Sequence, residues 1–323
     1  MKRTSLFLVV LTVVFSATAQ TTNYFKENNI FQHLDASVTL GSTGIGVDVS
    51  SPVGDYVNLR AGFDFMPHFH YNMNFDVQVG ETKDHTKFNR LAEMLEDLTG
   101  YKVEEQVRMI GVPTYYNFKF LVDVFPFKQN KCWHVTAGFY VGPSTIAEAY
   151  NATEAMPSLM AVSIYNNIYP KAMNEEPFIT TTMDGTVFSW PEDPEIQEKF
   201  HEKFAKYGRM GMHEGDFKSD GSAYMMEPGP DGMVKANVKV NSFKPYLGFG
   251  YGGRLFKNSD KYHVALDCGV MFWGGTPSIV THDGTNLAKD VENIDGKVGT
   301  YVDLISSFKV FPVLNVRFVK SIF

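Results

Sequence analysis

Few of the residues that could do chemistry are spaced for it. His68 and His70 in "PHFHYN" would put both imidazoles on one side of an extended strand, an arrangement that takes a metal ion when a third ligand is near. No third ligand is evident, so they read as polar residues at a rim. Met210, Met212 and His213 in "MGMHEG" offer the thioether and imidazole donors that suit copper, but the stretch also fits ordinary loop packing. Gly248, Gly250 and Gly252 resemble a phosphate loop only superficially, because they alternate along a strand with no helix N-terminus after them. His134, His263 and Asp267 fall on one polar strand face, yet no Ser-His-acid set can be placed on it. The expectation is a protein that is not an enzyme and takes no cofactor or metal.

What the strands do carry is charge in a regular place. In "YVNLRAGFDF", Val57, Leu59, Ala61, Phe63 and Phe65 alternate with Asn58, Arg60, Gly62 and Asp64. An extended strand with that pattern has one apolar and one charged face. The same alternation recurs along the chain, and its polar face collects Asp35, Asp48, Arg60, Asp64, Lys119, Asp123, Lys244, Arg254, Asp267 and Arg317. These five acids and five bases share that face with Gly46, Gly62, Gly111, Gly138, Gly248, Gly250, Gly252 and Gly269. Glycine weakens a strand unless something must approach closely, so a water-facing exterior has no use for so many. The interior of a small barrel does, since eight strands leave a bore that side chains just fill. The other face, rich in Phe, Tyr, Val, Leu and Trp, then suits lipid. On this reading Arg60 and Asp64 point into a lumen where opposite charges pair, because an unpaired buried charge is costly.

Eight segments show the alternation, at about 34–40, 45–49, 57–65, 110–124, 133–141, 244–255, 262–272 and 310–318. The links "PVGD", "FKQNK" and "KNSDK" are tight, whereas 71–108, 150–237 and 280–307 are long. With a short Gly-Ser-Thr link between the first two strands, the connections give three periplasmic turns and four outer loops, as an eight-stranded barrel with both termini in the periplasm requires. The fold class predicted is all-β: a closed antiparallel up-and-down transmembrane barrel of about eight strands with partly helical long outer loops.

The opening "MKRTSLFLVVLTVVFSATAQ" has two basic residues, an apolar run over Leu6–Phe15 and a small-residue site at Ala17-Thr18-Ala19, which together read as a signal peptide over residues 1–19. That run is shorter than the roughly 20 apolar residues a transmembrane helix needs. The mean hydropathy of −0.16 is no argument against a membrane protein, because barrels alternate apolar and polar residues. A net charge of −7 and the lack of a basic stripe exclude nucleic acid as a partner. Cys132 and Cys268 are too far apart in sequence to form a disulfide framework, though one bridge is open to an exported protein.

The stretches "TGIGVDVSSPVGDYVNLRAGFDF", "VDVFPFKQNKCWHVTAGFY", "KPYLGFGYGGRL" and "VLNVRF" resemble the small outer-membrane β-barrel proteins of Gram-negative bacteria, of the OmpA-like or OmpW-like barrel type. The resemblance covers the strand-forming half of residues 20–323. It implies outer-membrane localisation, with membrane lipid and the barrel assembly machinery as partners. That family's last strand usually ends the chain on an aromatic residue. Here the alternation ends at Phe318 and "VKSIF" follows, so Phe323 falls out of step.

Within the long links, "TKFNRLAEMLEDLTG" sets Phe88, Leu91, Leu95 and Leu98 on one helix side with Gly100 as the stop. "DPEIQEKFHEKFAKYG" has Asp193 as N-cap, Pro194 first, Ile196, Phe200 and Phe204 on one face, and Gly208 as the stop. The two helices are expected to pack on each other as a cap over the barrel mouth, or on a surface partner. The functional expectation is a structural, surface-interaction or small-solute-binding barrel with a filled lumen. The alternatives are a narrow porin-like channel, a soluble lipocalin-like carrier with the faces exchanged, and a lipid-modifying barrel enzyme.

Overall fold

A computed structural model describes residues 31–81, 83–127, 130–174, 176, 179–183, 186–190, 193–294 and 296–322. The expected signal peptide at 1–19 and Phe323 lie outside the described residues.

Eight strands close into one antiparallel barrel. They are β1 (Asp35–Gly41), β2 (Gly44–Val53), β3 (Val57–Phe65), β7 (Tyr116–Val124), β8 (Trp133–Val141), β15 (Phe243–Phe256), β16 (Ser259–Met271) and β19 (Phe311–Ser321). Each pairs with the barrel strand before and after it in sequence, so the topology is up-and-down. The ring closes where β1 meets β19, in register from Asp35 opposite Ser321 to Gly41 opposite Asn315. Closure leaves no unpaired strand edge. The last strand continues past Phe318 to Ser321.

Alternation decides which face is in. Phe118 is 65% exposed and its neighbour Lys119 only 4%. Val38, Val47, Phe65, Leu247, Phe249 and Leu314 are likewise exposed, while Asp48, Arg60, Asp64 and Lys244 are buried. Aromatic pairs run along the outer face, including Phe63 with Phe118 at 5.1 Å and Trp133 with Tyr251 at 4.8 Å between ring centroids. Cys132 and Cys268 are both free, so no bridge forms.

The segment expected as one strand over 110–124 is two. Its first half belongs to β6 (Gln106–Pro113), which lies outside the barrel, and only β7 enters it. Pro113 lacks the N–H that would continue a ladder, and the chain changes sheets there. Gly111 accordingly sits in the outer structure, beside Met73, and not in the lumen.

The long links build a folded cap at the end of the barrel opposite the termini. Between β3 and β7 come β4 (Tyr71–Asp76), β5 (Gln78–Val79), α1 (His85–Thr99) and β6. Between β8 and β15 come β9 (Thr145–Asn151), α2 (Met156–Met173), β10 (Ile179–Met183), β11 (Thr186–Trp190), α3 (Pro194–Ala205), β12 (Met210–Phe217), β13 (Ala223–Met226) and β14 (Lys235–Lys239). Between β16 and β19 come β17 (Ser278–Thr281), α4 (Leu287–Asp290), β18 (Val291–Glu292) and α5 (Gly296–Ser307). The barrel boundaries therefore put these links at 66–115, 142–242 and 272–310, each wider than the sequence suggested.

Strands from all three links join in a five-stranded sheet of order β17-β14-β9-β6-β4, and β12 pairs with β13, β18 and β5. One apolar core unites them, with Val79, Leu91, Leu95, Met109, Leu159 and Met212 buried in it. The barrel has a separate apolar cluster of Tyr115, Leu121, Tyr140, Tyr246, Met271 and Val313.

Both expected helices form. Asp84 caps α1 by accepting hydrogen bonds from the backbone N–H groups of Thr86 and Lys87, and Gly100 ends it in the left-handed region at φ 75°. Phe88, Leu91 and Leu95 are buried, but Leu98 in the last turn is exposed. Asp193 caps α3 through the N–H of Glu195, and Phe204 is buried while Ile196 is exposed. The side chain of Phe200 lies outside the described residues. α1 and α3 do not simply pack on each other; both contact α2, with Tyr165 of α2 set 5.6 Å from the Phe204 ring.

Candidate functional site: the barrel lumen

Each buried charge in the barrel sits at an inward step of the strand alternation, so the lumen is built directly from the period-two pattern. Its residues fall into three groups along the bore.

Nearest the termini, Asp267 of β16 is a hub. Its Oδ2 accepts from Arg60 Nη1 at 2.9 Å and from Arg317 Nε at 3.0 Å, and its Oδ1 lies 2.8 Å from His134 Nε2. Arg60 also donates to Asp123 Oδ1 at 3.0 Å, and Thr136 Oγ1 donates to the same oxygen at 2.7 Å. Arg317 Nη2 stands 4.0 Å from Asp123 Oδ2. Two guanidiniums and two carboxylates thus form one connected lattice, the pairing for which the rigid arginine fork is suited.

In the middle, Lys119 Nζ lies between Asp48 Oδ1 at 2.7 Å and Asp64 Oδ1 at 2.6 Å. Thr39 Oγ1 donates to Asp48 Oδ2 at 2.7 Å. Towards the cap, Lys244 Nζ donates to Asn117 Oδ1 at 2.9 Å and stands 5.9 Å from the centre of the Tyr115 ring. The Tyr140 and Tyr246 rings meet edge to face at 5.5 Å and fill the space between.

Eight of the ten charged residues expected on the inner face are buried there: Asp48, Arg60, Asp64, Lys119, Asp123, Lys244, Asp267 and Arg317. Four carboxylates and four cations leave the buried set formally neutral, with Lys244 held by Asn117 and the Pro143 and Ser242 carbonyls instead of by an acid. Such balance is what a low-dielectric interior demands. Asp35 and Arg254 are placed differently. Asp35 is half-buried at the end carrying the termini, where Ser321 Oγ donates to its Oδ1. Arg254 is exposed and pairs with Asp260 at 2.6 Å. The cause is strand length: β15 loses its β8 partner at Tyr251, so Arg254 lies on a hairpin that runs beyond the barrel wall into water.

Inward glycines make room for this lattice. A Cβ on Gly250 would meet the His134 ring and Asp267 Oδ1, and one on Gly46 would meet the Asp64 carboxylate. The ion pairs therefore occupy the volume that side chains would take at those positions.

The other candidate chemistry disperses. His68 and His70 are exposed in the link above β3. Met210 and Met212 are buried in the cap core, and His213 follows them half-buried on β12. His263 pairs opposite Arg254 on the protruding hairpin and does not reach the His134–Asp267 contact. Sequence reasoning left His134 out of the charged set, and missed Leu121, Met271 and Val313 as lumen residues. His134 was on the polar face and one inward step from Thr136, so parity alone was enough to include it.

Apolar residues cover the outside of a closed eight-stranded meander, and paired charges fill its inside. The architecture is a closed eight-stranded up-and-down antiparallel barrel. No protein-family model and no curated protein matches the chain. Among solved structures it is similar to the crystal structure of Acinetobacter baumannii CarO2, with a TM-score of 0.38 and 13% identity over 90% of this chain and 98% of that one. The crystal structure of Acinetobacter baumannii CarO gives a TM-score of 0.34 and 14% identity, over 89% of this chain and 96% of that one.

Proposed function

We propose that this chain is an outer-membrane barrel whose ion-paired lumen is closed to solutes, and that its role is to hold the folded cap at the cell surface. The cap is then the part that meets a surface partner or a small solute. The observation that carries this reading is the inversion of the two barrel faces, with exposed Phe118 beside buried Lys119 as its sharpest instance. An exterior of that composition gains by contact with hydrocarbon, and a closed barrel satisfies its backbone there. A soluble carrier with an apolar cavity would need the faces exchanged. Membrane lipid and the assembly machinery are the partners this reading requires, and it assigns no catalytic residue or cofactor.

The filled lumen has a direct electrical test. Purified protein inserted into planar bilayers is expected to give little steady current. A stable open-pore conductance would instead favour a narrow polar conduit. One observation supports that second reading: Asp64 Oδ2, Asn117 Nδ2 and Asp123 Oδ2 are buried without a protein hydrogen-bond partner, as polar atoms along a water thread would be.

A further inference from the structure

Helix α5 has one more apolar face than its place in the cap requires. Val298, Val302 and Ile305 turn one stripe into the cap core. Tyr301 and Leu304 lie together about a quarter turn round the helix, with Lys297 one turn before them and Phe308 just past the helix end. Leu304 is 54% exposed and Phe308 40%. Thr300, Asp303 and Ser307 make the remaining face polar.

This second stripe runs towards the barrel belt, because Phe308 and Val310 lead directly from the end of α5 into β19. The β1–β2 connection is only the turn at Ser42 and Thr43, and Ser42 is pinned to the top of β19 through hydrogen bonds with Pro312 and Leu314. No long link rises from that turn. The gap above it is bridged from the two sides, where the Tyr71 and Tyr301 hydroxyls meet at 3.0 Å. Phe69 and Tyr71, leading up from β3, are exposed. The α5 stripe continues through Phe308 and Val310 into the outward residue Leu314 of β19, and the other side continues down to Phe65. Trp273 Nε1 donates to the Phe308 carbonyl at 2.8 Å and fixes the junction between helix and strand.

From this continuity we infer that α5 and the Phe69–Tyr71 segment rest on the outer leaflet, with Tyr301, Leu304 and Phe308 in the interfacial lipid and Lys297 and Lys309 towards its anionic head groups. The inference rests on the reading of the barrel as membrane-spanning. An apolar stripe flanked by basic residues beside a polar face is the composition of a helix lying in a membrane interface. Tyrosine suits that depth because its ring is apolar and its hydroxyl is polar. The cap is then braced sideways on lipid where the shortest outer loop leaves it without support from below.

The test uses the full-length protein in vesicles of phosphatidylethanolamine and phosphatidylglycerol, with Cys132→Ser and Cys268→Ala as background and a nitroxide attached at Leu304→Cys. Collisions with oxygen report lipid, and collisions with a water-soluble nickel chelate report water. Asp303→Cys on the polar face and Leu247→Cys on the barrel belt are the controls. The expected oxygen-to-nickel ratio at 304 is several-fold above that at 303 and approaches that at 247. A ratio at 304 equal to that at 303, with 247 still lipid-like, overturns the inference and leaves the barrel reading intact. If 247 is also water-like, it is the barrel reading that fails. Spin–spin broadening at 304 would place a second copy of the chain on the stripe and also overturn it.

Discussion

Arg60 reaches Asp267 across the full width of the barrel. Their strands, β3 and β16, stand four places apart in a ring of eight, yet Nη1 and Oδ2 are 2.9 Å apart. One side chain therefore ties opposite walls together, while its second nitrogen holds Asp123 on the adjacent β7. The crossing spans the bore at this level without any inserted loop.

Arg60→Ala should be strongly destabilising, since it leaves Asp123 and Asp267 buried with only part of their compensation. Breaking a buried pair from one side costs about 3–5 kcal/mol. Urea titration of the detergent-folded protein should show the loss, and Arg60→Lys should recover only part of it, because one ammonium nitrogen cannot reproduce the reach of two separate guanidinium nitrogens to Asp123 and Asp267. A midpoint unchanged in Arg60→Ala would mean that the lattice contributes nothing to stability.

Gly250→Val should prevent closure of the barrel. A Cβ at this position would stand 2.6 Å from Asp267 Oδ1 and against the His134 ring, with no room to retreat inside a filled bore. The expected readout is loss of the compact unboiled band on gels. Gly253→Val tests the same strand where a Cβ meets no heavy atom within 4 Å, and it should fold normally.

Leu159→Ala should loosen the cap and spare the barrel. Leu159 is 1% exposed in the core shared by the cap helices and sheets, and a large-to-small change there costs about 2–5 kcal/mol. Protease should then cut within the cap links while the heat-dependent gel shift persists. Loss of both together would show that cap and barrel unfold as one unit.

The cap should lose stability as pH rises from weakly acidic to weakly basic. Burial pushes the Glu214 carboxyl up from 4.5 to about 8, against a smaller opposing pull from Lys83. A raised folded-state value means that the folded protein binds the proton more tightly than the unfolded chain does. The stabilisation is therefore complete below about 4.5 and is lost as pH climbs through about 8. Hydrogen exchange in β12 should accelerate across that window in the native chain and should do so much less in Glu214→Gln. Equal pH dependence in the two proteins would contradict the assignment.

The barrel was legible in the sequence because both of its faces are chemically extreme. Phe next to Lys, or Leu next to Arg, marks the parity of most barrel strands, and from β2 onward tight links alternate with long ones and give the strand directions. The cap was less legible. Its strands are short and follow barrel strands with little punctuation, as where β9 begins at Thr145 soon after β8 ends at Val141. Ile110 and Val112 keep the parity of β7, and only Pro113 signals that the sheet changes. Helix α2 escaped notice because it buries Leu159, Ala161, Val162 and Tyr165 on more than one side, so it lacks the polar face that marked α1 and α3. The partners within the lattice were out of reach for another reason: parity says that Arg60 and Asp267 point inward, but only the closed ring makes them neighbours.

The central claim is that the apolar face of the barrel meets lipid and its charged face lines the bore. It is tested most directly by extracting the protein from membranes and comparing its gel mobility before and after boiling in detergent. The account predicts that it stays with the membrane fraction and that the unboiled form runs as a compact, faster band that slows on heating. A protein that washes out with the soluble periplasm and runs identically before and after boiling would contradict it.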